Sequence, residues 1–159
     1  MKLYHFTKAK YALDAIKNQR FKLSTFDDLN DPFELFAPDH GDKKTRQAFR
    51  KFKDEMAATI GLLCCSKSWS STLLWSHYAD RHKGAALVLD VAHEQINHVN
   101  YQKTRLRIDK RYLDYDRTLP LGTGLGSIML RTKSLEWGYE DEARVQFLLK
   151  PFHGKPKPY

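Results

Sequence analysis

The sequence predicts an α+β fold: a mixed, largely antiparallel sheet with flanking helices. Segments with the short apolar or alternating pattern of strands outnumber long amphipathic segments, and the two kinds do not alternate as a doubly wound parallel sheet requires. The 159 residues suffice for one domain with an ordinary core, held by neither metal nor disulfide. No internal repeat, low-complexity stretch or linker interrupts them, so a single domain over 1–159 is expected.

Residues 2–6 alternate and predict a first strand. The stretch 8–18 carries Ala12, Leu13, Ala15 and Ile16 and predicts a short helix, and 21–23 a second strand. Residues 24–34 are dense in turn formers, and Pro32 disfavours helix at Asp31, so an ordered loop held by Phe26, Leu29 and Phe33 is expected. From Lys43 onward Phe49, Phe52, Met56 and Ile60 recur at helical spacing, giving an amphipathic helix over 43–59 with a basic outer face. A buried strand at 61–66 follows. Ser71 is placed to cap a short helix over 71–80, with Leu74, Trp75 and Tyr78 covering one side. The apolar, branched run 84–90 reads as a central strand, 92–98 as a brief helix, and 99–102 and 105–108 as further strands. Pro120, Gly122, Gly124 and Gly126 make 114–126 a loop or lid. A helix over 127–133 then leads to Glu140 and Glu142 and to the last strand at 145–149.

Apolar residues at 42% and aromatics at 13% describe a globular chain, and no apolar run approaches the roughly 20 residues that cross a bilayer. The N-terminal Met1-Lys-Leu-Tyr-His-Phe-Thr lacks the apolar core of a secretory signal, so a cytoplasmic protein without membrane contact is expected. Cys64 and Cys65 are adjacent on a strand and point to opposite faces, which favours packed thiols over a mutual disulfide. The net charge of +8 and pI near 9.5 suit phosphate-bearing partners: nucleic acid, nucleotide or dinucleotide. The cations concentrate at 43–53, 103–111 and 150–157.

Glu140 and Glu142 are two apart, so on an extended segment both would address one ligand from one side. Like charges that close resist joint ionisation, which can make an acid and a base of one residue type. The plain alternative is the polar face of an edge strand, with Arg144 a solvated partner. Gly122-Thr-Gly-Leu-Gly126 fails as a dinucleotide fingerprint because its third glycine comes one position early and no buried strand precedes it. His77, Asp80 and His82 lack a second cluster to complete a metal site, so no metal is expected. Neither a nucleophile elbow nor a cysteine in a cationic, exposed setting is present.

The order Tyr4-His5, Asn30-Asp-Pro-Phe-Glu34, Cys65-Ser66, Trp75-Ser-His-Tyr-Ala-Asp80, His82-Lys-Gly84, Tyr101 and Lys133-x-x-x-Trp137-x-Tyr-Glu-x-Glu-x-Arg144 resembles a bacterial and phage family, the domain of unknown function two-nine-seven-one. The resemblance runs from about residue 3 to residue 149. It implies kinship with the ADP-ribosyltransferase-like fold, a split antiparallel sheet that binds NAD between its halves. It further implies that His5 bonds the ribose of NAD, with Thr7 at the nicotinamide end and Tyr78 beside the nicotinamide ring, near Ser76 or His77. Glu142 would be the catalytic carboxylate and Glu140 the residue that orients the acceptor. The middle motif departs from the family pattern by reading as a helix.

Cleavage of the bond from nicotinamide to ribose builds positive charge on the sugar, which a fixed carboxylate stabilises. Arg144 would keep Glu142 ionised or bind a phosphate, and Lys133 and Arg81 are candidates for the pyrophosphate. Tyr4, Trp75, Tyr78 and Trp137 would stack on nicotinamide or adenine, or else serve the core. The expectation is therefore an NAD-dependent ADP-ribosyltransferase acting on a nucleic-acid or protein acceptor, or an NAD hydrolase, in toxin or phage-defence biology. The alternatives are a non-catalytic scaffold that binds through the basic surface, and a metal-free nuclease using His5 or His77 with Glu142.

Overall fold

The structure, a computed structural model, describes residues 1–25, 28–31, 43–105, 127–128 and 130–149. Most of the 24–34 loop, the strand expected past residue 105, the 114–126 loop and the basic tail at 150–157 lie outside the described residues.

In chain order the elements are β1 (Lys2–Thr7), α1 (Ala9–Asn18), α2 (Lys43–Thr59), β2 (Ile60–Ser66), α3 (Thr72–Tyr78) and β3 (Ala85–Asp90). There follow a 3₁₀ turn (His93–Gln95), β4 (Ile96–His98), β5 (Asn100–Gln102), β6 (Thr132–Ser134), a 3₁₀ helix (Leu135–Glu140) and β7 (Glu142–Leu148). Five strands form an antiparallel sheet in the order β3-β1-β2-β7-β4, while β5 and β6 pair in parallel beside it. The architecture is thus α+β with a mainly antiparallel sheet.

β2 is buried at almost every position because both faces of the sheet are covered, which explains its continuous apolar run. Register sorts the side chains between those faces. Tyr4 stands opposite Ser66 and Ser66 opposite Glu142, so these three share one face. The other face carries Leu3, Leu63, Cys65, Ala143 and Val145 as one apolar cluster. Phe6, three residues beyond Leu3 and so on the opposite side, packs with Leu74 and Ala79 from the helical segment that covers the Glu142 face.

Local sequence fixes that helix. The Ser71 hydroxyl accepts from the Leu74 N–H at the start of α3. After its end Asp80, Arg81 and His82 take φ of 48°, 55° and 67°, three successive left-handed residues that cost about 1–2 kcal/mol each. They are held by His82 N–H on the Trp75 carbonyl and Gly84 N–H on the Ala79 carbonyl. This turn drops the chain onto Thr7, where β3 begins its pairing with β1.

Several expectations are corrected. The 84–90 run forms an edge strand, with Val88 58% exposed; an apolar run does not by itself distinguish a central strand from an edge one covered on one face. Residues 21–23 form no strand, and only Ser24 bridges to Leu62. The helix expected over 127–133 is helical at 127, 128 and 130 and gives way to β6, because Thr132, Lys133 and Ser134 pair with β5. The brief helix at 92–98 is a single 3₁₀ turn followed by β4.

Candidate functional site

The site is built where the 3₁₀ helix hands over to β7. Glu140 closes that helix, Asp141 turns left-handed at φ 42°, and Glu142 opens the strand. The two glutamates therefore do not share one extended segment, contrary to expectation. A third residue joins them: Lys133 of β6 sends its ammonium to Glu140 Oε2 at 2.5 Å and to Glu142 Oε2 at 3.3 Å.

Arg144 is not a solvated partner. It is fully buried, and β7 lies between β2 and β4 rather than at an edge. Its Nε and Nη2 donate to Glu142 Oε1 and Oε2 at 2.7 and 3.0 Å, and its Nη1 donates to the Leu130 carbonyl at 2.9 Å. Two carboxylates and two cations sum to zero charge, so their burial leaves no net charge in the interior. The Tyr78 hydroxyl, at the end of α3, donates to Glu140 Oε1 and accepts from Asn30 Nδ2 at 2.5 Å. The Glu142 N–H donates to the Tyr101 hydroxyl at 2.8 Å. One chain of polar contacts thus ties together α3, β5, β6, the 3₁₀ helix and β7.

Burial alone would push the Glu142 carboxyl up. The Arg144 guanidinium, by its charge and hydrogen bonds, and then Lys133 and the Cys64 thiol, outweigh that and pull it down to about 2. Burial, followed by the hydrogen bond and charge of Glu140, raises the Tyr78 hydroxyl. Burial and then the Glu142 charge push the Cys65 thiol up to about 12, so it carries no thiolate at neutral pH. The Glu142 shift sets a pH dependence. A carboxyl depressed in the folded state stabilises fully above its ordinary value of 4.5 and loses that contribution as pH falls toward about 2. The thermal midpoint followed by circular dichroism should fall steadily across that window, and a flat midpoint there would refute the pairing.

His5 is not brought to this cluster. It lies between Tyr4 and Phe6 on β1, on the face of Leu3 and Cys65 and opposite to Glu142. Its Nδ1 donates to the Cys64 carbonyl at 2.9 Å, and its ring meets the edge of Phe21 at 5.9 Å. Burial lowers its pKa, against the opposing bond to Cys64. Tyr4 is on the Glu142 face, half-buried in the Phe6 cluster. Thr7 ends β1 opposite Ala85. Ser76 and His77 are exposed on α3, and His77, Tyr139 and Trp137 form a row of rings with centroids 6.1 and 6.0 Å apart. Trp137 also covers the Lys133 ammonium, 4.7 Å from its ring centroid.

No family model, curated protein or solved structure matches this chain. The chemistry must be read from the groups themselves. Among the described residues no three His, Cys, Asp or Glu side chains are placed to hold a metal, His77, Asp80 and His82 included. No helix among them is long and apolar enough to cross a membrane.

Asn30, Cys64 and Tyr101 are contributors that sequence reasoning did not place in the site. Asn30 lies 48 residues from its partner Tyr78, and Tyr101 lies 41 from Glu142. No local spacing links such pairs. Asn30 and Tyr101 do stand in the motif order noted above, which was the one available signal.

Proposed function

We propose that the Glu142 face of the sheet binds NAD and cleaves its bond between nicotinamide and ribose, passing ADP-ribose to a nucleic-acid or protein acceptor or to water. The observation that carries the proposal is the Glu142 carboxylate, fixed at the head of a central strand and held ionised by Arg144 and Lys133. As the glycosidic bond breaks, its electron pair leaves with nicotinamide and the ribose becomes cationic. A carboxylate already oriented by protein bonds stabilises that charge without reorganising. Glu140, steered by Tyr78 and Lys133, stands beside it to orient the attacking hydroxyl and take up its proton. The ring row of His77, Tyr139 and Trp137 offers the stacking surface for a base. His5 acts through β2 rather than on the ribose, and Lys133 and Arg144 position carboxylates rather than pyrophosphate. The motif order suggests the ADP-ribosyltransferase-like split sheet and a role in toxin or phage-defence biology.

Wild-type protein incubated with NAD should release nicotinamide. Glu142→Gln, assayed below its own melting temperature, should bind NAD within a few-fold of wild type yet release nicotinamide about 100-fold to 1,000-fold more slowly. Folded wild type that neither binds nor cleaves NAD would overturn the proposal.

A second reading, a scaffold of the same fold without catalysis, is favoured by one observation. Both Glu142 oxygens are engaged by cations and the residue is only 5% exposed. In that reading the buried quartet holds the fold and binding falls to the basic surface.

A further inference from the structure

The outer side of α2 carries cations that the site at β7 does not use. Lys43, Arg46, Gln47 and Arg50 occupy helix positions i, i+3, i+4 and i+7, which places them on one face along about 10 Å of its axis. All four are exposed, and they flank one shallow, open surface depression. Four cations elsewhere in the fold have acids: Arg20 meets Asp14, Lys67 meets Asp141, and Lys133 and Arg144 meet the glutamates. Among the described residues no carboxylate pairs with Lys43, Arg46 or Arg50. The first turn of α2 holds no acidic residue, so the positive end of the helix dipole adds to the row. At the other end Ala57 is buried and the chain passes directly into Ile60 of β2. The helix is therefore anchored to the sheet by its C-terminal turn.

We infer that this row binds the sugar-phosphate backbone of a nucleic acid. Guanidinium groups match phosphate oxygens in pairs, and Arg46 and Arg50 repeat at about 6 Å along the axis, the order of the separation between neighbouring phosphates on one strand. A row of charges of one sign raises the local potential that attracts a polyanion. Gln47, between the cations, supplies a neutral amide for sugar hydroxyls. An anionic lipid surface is the poorer fit, because insertion needs apolar side chains beside the cations and the row itself has none. The inference names the partner in the scaffold reading and holds whether or not Glu142 cleaves NAD.

Fluorescence anisotropy with labelled single-stranded and duplex oligonucleotides tests it. Three phosphate contacts give a log–log dependence of affinity on salt of about −2 on single strands and nearly −3 on duplex. The triple variant Lys43→Gln, Arg46→Gln, Arg50→Gln should flatten that slope by about 0.7 per cation removed on single strands and about 0.9 on duplex. It should melt with the wild type, since all three side chains are exposed, and keep whatever nicotinamide release the wild type shows. Failure here is thereby separated from failure at Glu142. The inference is overturned by folded wild type that binds no oligonucleotide, or by a triple variant with unchanged affinity and slope. It is equally overturned if the row instead titrates phosphatidylserine vesicles or polyglutamate in preference to oligonucleotides.

Discussion

Arg144→Met is expected to lower the free energy of unfolding by about 3–5 kcal/mol, which for a chain of this length lowers Tm by roughly 10 °C or more. Methionine can fill much of the arginine volume, so the loss is electrostatic in origin. With the guanidinium gone, Glu142 remains 5% exposed, retains the longer 3.3 Å contact to Lys133 as its remaining ion pair among the described residues, and the quartet acquires a net negative charge inside the protein. The Leu130 carbonyl loses its donor as well. The pair as a whole should contribute far less than either member appears to, because desolvating both groups offsets most of their attraction. The double variant Arg144→Met, Glu142→Leu should accordingly recover much of the loss. A chemical-denaturation cycle over the four proteins measures this directly. If Arg144→Met alone melts with the wild type, the guanidinium is not buried against Glu142.

The same quartet shows how far the sequence could be read. The α+β class, α1, α2, β2 and the capped α3 were legible because each rests on local periodicity or a capping residue. The proximity of Glu140, Glu142 and Arg144 was legible because they are near neighbours in the chain. Their geometry was not. The left-handed Asp141 breaks the extended pattern on which a shared strand face depended, and Lys133 enters from β6, a strand of three residues with no alternation to announce it. The face occupied by His5 was hidden for another reason. Motif order says that two residues lie in one fold, but only strand register decides whether they share a face, and a shift of one residue reverses the answer. Here Tyr4, not His5, stands in the row of Ser66 and Glu142. The row of cations on α2, by contrast, follows from spacing alone once the helix is granted.

Gly84→Ala should be the most damaging conservative change outside the quartet, costing about 3 kcal/mol or more, at or beyond the upper end of ordinary overpacking. A methyl group there would stand 2.2 Å from the Thr7 carbonyl oxygen and 2.8 Å from the backbone of Ala79. Neither neighbour is a side chain that can rotate away. The chain cannot take another route cheaply, because Gly84 N–H is bonded to the Ala79 carbonyl at 2.7 Å and the next residue, Ala85, is already in register with Thr7. Relief must come from lifting β3 off β1 or from displacing the end of α3. The second movement carries Tyr78 away from Glu140, so the substitution should disturb the carboxylate site from a distance as well as lower Tm. Arg81→Gly provides the contrast. Its φ of 55° suits glycine, and the relief of local strain is offset by the greater freedom of the unfolded chain, leaving a net change of about a few tenths of a kcal/mol. Thermal melts of the two variants beside wild type decide the matter: equal midpoints for Gly84→Ala and wild type would mean that the turn does not approach Thr7 as closely as the fold requires.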